Sequence, residues 1–151
     1  MLQAAAVVLV LLALAQLVRP ARTNPPIDAS RTIEAHLGAA NGLAAVLNRS
    51  CGDCHSNRTS WTAWYTRVAP LSWAFGYAVT QGRKVVNFSD WSSYPPDVQR
   101  QMIVASCRAA SEGKMPGAYT MFRPDTRLSP ADLEAICSAA RYAEASAKGS
   151  P

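Results

Sequence analysis

A chain of 151 residues has room for one domain with one core. Its net charge of +5 comes without any dense run of Lys and Arg, which argues against nucleic acid and leaves ordinary solubility or docking to acidic partners. Of the four cysteines and two histidines, Cys107 and Cys137 lie far apart and His36 lies upstream, so no closely spaced second pair completes a zinc site built on C-x-x-C.

Met1 to Val18 has no charged side chain and is mostly Ala, Val and Leu. A run of this length is at the short end for a spanning helix and reads as a membrane anchor. A cleaved signal is the alternative, with Ala13-Leu14-Ala15 as a small-x-small site. Arg19-Pro20-Ala21-Arg22-Thr23-Asn24-Pro25-Pro26 then predicts an extended, proline-rich linker over 19–29. From about Ser30 to Leu47, Ile33, Leu37, Ala40, Ala44 and Leu47 recur at helical spacing, with a break expected at Asn41-Gly42. His36 lies near that stripe and reads as a surface histidine rather than a ligand.

The stretch Cys51-Gly52-Asp53-Cys54-His55 follows. Two thiols three residues apart can each add to one of two vinyl groups on a single porphyrin edge. The histidine directly after the second cysteine can then supply an imidazole to the iron. The absence of alternating β-branched runs argues against a thioredoxin-like setting for the same C-x-x-C. One covalent haem c is therefore expected, held by Cys51 and Cys54, with His55 as an axial ligand. Covalent haem attachment belongs outside the bacterial cytoplasm, so the domain is expected on the periplasmic side. That holds even though Arg19 and Arg22 sit after the apolar run rather than before it, against the usual charge bias.

Trp61, close behind the motif, is a candidate to pack on the porphyrin and keep water from the iron. A short helix is predicted from the N-cap Ser72 to about Gln81, with Gly82 ending it. Arg83 and Asn87 are candidates to hold the haem propionates. Phe88-Ser89-Asp90-Trp91 reads as a packed turn. Pro95-Pro96-Asp97 opens a helix to about Ser111, since proline in the first turn loses no hydrogen bond; Val98, Met102, Ala105 and Ala109 share one of its faces.

Glu112-Gly113-Lys114 stops that helix just before Met115-Pro116-Gly117. A thioether is a soft iron ligand that raises the reduction potential opposite histidine. Met115, 60 residues after His55 and in a loop, is the expected second ligand, while Met102 reads as helical core and Met121 as loop or core. Leu128-Ser129-Pro130-Ala131-Asp132 predicts a capped helix to about Ser146. Cys107 and Cys137, on successive predicted helices, are expected to form a disulfide that steadies the Met115 loop.

These motifs together resemble the small bacterial haem-binding domain family of c-type cytochromes. The residues that carry the likeness are Cys51-Gly52-Asp53-Cys54-His55-Ser56-Asn57, Thr59, Trp61, Trp64-Tyr65, Ala69-Pro70, Ser72-Trp73, Gly82-Arg83, Asn87-Phe88-Ser89, Trp91 and Gly113-Lys114-Met115-Pro116, with Tyr119 and Leu128-Ser129 beyond. The resemblance implies a membrane-tethered periplasmic haem protein. It also shows two departures: Tyr77 and Arg123-Pro124 stand where many relatives carry histidine.

The expected architecture is all-α: a small cytochrome c-like helical domain over 30–147, wrapped around one covalent haem, after an anchor over 1–18. The expected function is one-electron transfer with His55 and Met115 as axial ligands, between redox partner proteins whose identity the sequence leaves open. A peroxidase-like enzyme with an open sixth site is disfavoured by the lack of a spare distal histidine. A sensor or a subunit of a membrane complex stands as a further alternative.

Overall fold

The computed structural model describes residues 1–38 and 42–148. The described residues contain helices and turns and no strand. The α-helices are α1 (Leu2–Ala15), α2 (Ile33–Leu37), α3 (Gly42–His55), α4 (Leu71–Val85), α5 (Pro96–Ser111) and α6 (Pro130–Lys148), joined by short 3-10 turns.

Local chemistry sets most of the ends. Ser129 and Asp132 cap α6 reciprocally: the Asp132 N–H donates to Ser129 Oγ at 3.1 Å, and the Ser129 N–H donates to Asp132 Oδ2 at 2.8 Å. Pro96 opens α5 at its first position. Gly38 closes α2 with φ 88, a conformation that favours glycine. The break expected at Asn41-Gly42 falls partly outside the described residues; a helix resumes at Gly42.

Several boundaries differ from the sequence reading: α4 starts at Leu71 behind Pro70, so Ser72 is not its N-cap, and the helix expected from about Ser30 starts at Ile33. The helix before the motif does not stop near Leu47 but runs on through Cys51, Cys54 and His55, since nothing from Asn48 to His55 interrupts it. Gly82 does not end α4, which continues to Val85; its role there is close packing, not termination.

α5 and α6 pack side by side and are joined by the Cys107–Cys137 disulfide, with Cα atoms 4.9 Å apart. The larger core gathers Ile33, Leu47, Val86, Phe88, Trp91 and Ile136 between α2, α3, α5 and α6. A smaller aromatic core forms around Tyr65, Phe75 and Val79. Cys51 packs against the first core and Cys54 against the second, so the end of α3 is wedged between them.

The apolar run expected as an anchor forms α1. α1 has 14 residues, about 21 Å of helix against a hydrocarbon core of about 30 Å. Among the described residues no helix is long and apolar enough to cross a membrane. Gln16 marks its end: its side-chain amide donates to Leu12 O and Ala69 O and accepts from the Ala69 N–H. Nor does the stretch after it hang free. Trp73 Nε1 donates to Val18 O at 2.7 Å, Pro20 packs on Gly76, and Asn24 Nδ2 donates to Thr59 O. Residues 16–26 are thus a strap laid along α4 and the loop that follows the motif.

Candidate functional site

An apolar cleft of about 230 Å³ opens between the end of α3, the α4 end with the turn after it, α5, and the loop that carries Met115. Helical geometry decides how the motif meets it. Residues three apart lie on one helix face, so Cys51 and Cys54 both line the cleft, and His55 joins them from the last turn. Both thiols are free. Burial, with the neighbouring Cys54 thiol, pushes Cys51 up to about 11, and burial with the Asp53 carboxylate pushes Cys54 up to about 11. At neutral pH they are protonated thiols.

His55 Nδ1 lies 3.3 Å from Val86 O. A carbonyl can only accept, so the imidazole N–H sits at Nδ1 and Nε2 keeps its lone pair. Burial lowers the His55 pKa, and the Val86 carbonyl works against that shift. The ring faces Phe88, with centroids 6.0 Å apart. The neutral, oriented imidazole is the form that ligates a metal.

Opposite chemistry is absent from the α5 wall. Ala105, Ser106, Ala109 and Ala110 present short side chains to the cleft, a surface on which a flat ring can lie close. Met102 and Met115 bring two thioethers to the same cleft. Met115 is half exposed, whereas Met121 is 79% exposed and lies elsewhere. Ser50 Oγ, which also lines the cleft, is buried with no hydrogen-bond partner among the described residues.

The attachment turn is held by neighbours to which the sequence reading assigned no role at the cleft. A Cβ on Gly82 would lie 2.9 Å from the Cys54 carbonyl carbon and closer still to its oxygen; only glycine lets α4 approach the motif this far. Asp53, between the two cysteines, accepts from Tyr119 Oη at 2.7 Å and Arg123 Nη1 at 3.0 Å with one carboxylate oxygen, and from the Ser60 N–H at 2.8 Å with the other. Tyr119 also lies 3.0 Å from Tyr65 Oη. Burial first, then these two hydrogen bonds, keep Tyr119 strongly protonated.

A family model described as a haem-binding domain matches residues 10–141. The chain belongs to the haem-binding domain family. The cleft suits that membership: a wall of small and aliphatic side chains, two neutral thiols on its rim, and an imidazole with a free Nε2. No curated protein matches the chain, and no solved structure does.

Four residues singled out in the sequence therefore meet on the cleft of this haem-binding domain: Cys51, Cys54, His55 and Met115. Three do not. Arg83 spends its guanidinium on Ser56 O, Thr59 Oγ1 and Asn24 Oδ1, at 2.8, 2.8 and 2.7 Å, and so clamps the strap to the loop after the motif. Asn87 caps the 88–93 turn through the Ser89 N–H and donates to Asn57 Oδ1. Trp61 packs edge-on against Phe75 and donates from Nε1 to Asn24 Oδ1. Each braces the segments that hold the cleft, because its polar atoms are already satisfied within the protein. His36 is exposed on a separate groove near Tyr142. Tyr119 and Gly82 carry signals visible in the sequence, a tyrosine four residues past Met115 and a glycine before arginine, but their spatial partners are not.

Proposed function

We propose that this haem-binding domain is a c-type electron carrier with one covalent haem. The observation that carries the reading is the placement of two free thiols and a neutral, hydrogen-bonded imidazole on one apolar cleft that also receives Met115. A haem bound there supplies an iron that accepts and releases one electron.

The chain's own part follows from its geometry. Cys51 and Cys54 would hold the haem, each thiol adding across one vinyl group so that a C–S bond would form at one carbon and the thiol hydrogen would go to the other, with no oxidant required. His55 offers Nε2 while Val86 O fixes its tautomer. Met115 offers its sulfur from the loop after α5. Leu47, Val86, Phe88 and Ile136 exclude water from the space between. The Cys107–Cys137 disulfide supports an oxidising compartment, the periplasm of a bacterium, and the apolar N-terminal segment supports work at a membrane surface with redox proteins as partners.

The test is the protein purified from a cell that matures c-type haem. Expected are a coloured protein with the mass of one haem added to the chain, and a low-spin ferric spectrum with the weak far-red band of thioether ligation. Met115→Ala should lose that band and bind cyanide faster, while Met102→Leu should keep it. A colourless product with no added mass would overturn the reading. A high-spin wild type that binds cyanide at once would favour the enzyme alternative over the carrier.

A further inference from the structure

The ten carboxylates of the chain are not spread evenly. None lies in residues 1–27, and none between Asp53 and Asp90. These two acid-free stretches supply α1, the strap and α4, and the structure brings them together. Gln16 is bonded to Ala69, Val18 to Trp73, Pro20 packs on Gly76, and Arg83 holds Asn24. The unit they form is cationic, and among the described residues no carboxylate lies within ion-pair distance of Arg19, Arg22 or Arg67. α1 itself buries no residue against the protein. Where it meets the domain, the neighbouring exposed side chains are Val68, Trp73 and Tyr77, the last 68% exposed. Trp73 and Tyr77 are one turn apart on α4 and share a face.

Apolar helix, amphipathic aromatics and unpaired arginines in that order are the composition of a membrane interface. We propose that α1 embeds in a lipid bilayer, and that the N-terminal end of α4, with Arg19, Arg67, Trp73 and Tyr77 and with Arg22 further along the strap, rests on anionic lipid headgroups. This rests on the membrane-surface part of the functional reading and is independent of the haem. The occupant is a bilayer rather than a protein because α1 is apolar on every side and offers no single seam to a partner, while the cations beside it match phosphate. The strap fixes the orientation. Val85 and Val86 line the cleft at the far end of α4, about 21 Å from its start, so the cleft faces water while the other end faces lipid.

The experiment uses the full-length holoprotein with vesicles of phosphatidylcholine, with or without phosphatidylglycerol. Each basic residue near an anionic surface strengthens binding roughly fivefold. The triple neutralisation Arg19→Gln, Arg22→Gln, Arg67→Gln should therefore weaken binding to the anionic vesicles roughly a hundredfold, the triple reversal to Glu more than that, and wild type should lose its preference for them at high salt. A polarity-sensitive dye on Tyr77→Cys should shift to the blue on vesicle binding, while the same dye on Tyr142→Cys should not. Equal affinity for both lipids, or a dye at position 77 that stays in water while the protein is vesicle-bound, overturns the proposal. So does a triple reversal that leaves anionic binding intact, which would assign the cations to an acidic protein instead. None of these results bears on whether haem is attached; absorbance of the same samples reports that separately.

Discussion

The Tyr119 hydroxyl donates to Asp53 Oδ2 at 2.7 Å. The residue between the two attachment cysteines is thereby tied to the segment that follows Met115. Arg123 adds a second bond to the same oxygen, and its own guanidinium is held by Asp125, whose hydrogen bond raises the Arg123 pKa. The Met115 loop is thus bonded to the turn that carries Cys51 and Cys54, not merely packed near it.

Removing that tie should loosen the loop while leaving the attachment residues in place. Tyr119→Phe deletes one donor to a carboxylate and should cost about 1–2 kcal/mol of stability. Asp53→Ala removes the acceptor shared by Tyr119, Arg123 and the Ser60 N–H and should cost about 2–3 kcal/mol. Urea unfolding of the two variants measures this. In the haem-loaded protein both should keep covalent haem yet show a weaker thioether band than wild type. An unchanged band would mean that Met115 is positioned without help from Asp53.

Gly82→Ala should be more damaging than its size suggests. The new methyl group would meet the Cys54 backbone, and backbone at the end of a wedged helix has little room to yield. A cost of about 3 kcal/mol is expected, together with a lower yield of haem-loaded protein, because the shift falls on the attachment turn itself. Gly42→Ala is the control. Its Cβ meets nothing within 4 Å, so it should be close to neutral.

What the sequence made legible follows from where each signal resides. The end signals of α5 and α6 are local: Pro96 at a first position and the Ser129–Asp132 pair act within one turn, so the spacing alone located both helices. The C-x-x-C-H motif is local as well, and its members share the cleft. The protein contacts of Arg83 and Asn87 were not legible, for the opposite reason. Their donors suit carboxylates, but the protein's own acceptors on Ser56, Thr59, Asn24 and Asn57 reach them first, and those partners come from distant sequence. The Gln16–Ala69 bonds, which lie where α1 ends and the chain turns along α4, join positions 53 residues apart and so left no local signal.

The Cys107–Cys137 disulfide closes a loop of 30 residues that contains Met115. Reduction, or the double substitution Cys107→Ala, Cys137→Ala, should lower stability by about 3–4 kcal/mol through the freedom it returns to the unfolded chain. Denaturant midpoints with and without reductant measure this. Since Cys51 and Cys54 lie outside that loop, haem once attached should survive reduction.

Asp132 gives the acid limit of the fold a residue. Its carboxyl is held below the usual aspartate range, first by the Ser129 N–H, with the Ser129 hydroxyl and Arg49 adding to the effect. A carboxyl with a lower folded than unfolded pKa contributes stability above its unfolded value and loses it as pH falls through the folded one. The Ser129–Asp132 cap and the Arg49–Asp132 pair that joins α3 to α6 should therefore stabilise the fold fully above about pH 5 and fade towards pH 3 and below. Asp132→Ala should cost about 1 kcal/mol at neutral pH. The difference between wild type and variant should shrink as the pH is lowered through that window, measured by urea unfolding at a series of pH values. A constant difference across the range would mean that the Asp132 charge adds nothing to the capped helix or to its link with the attachment helix.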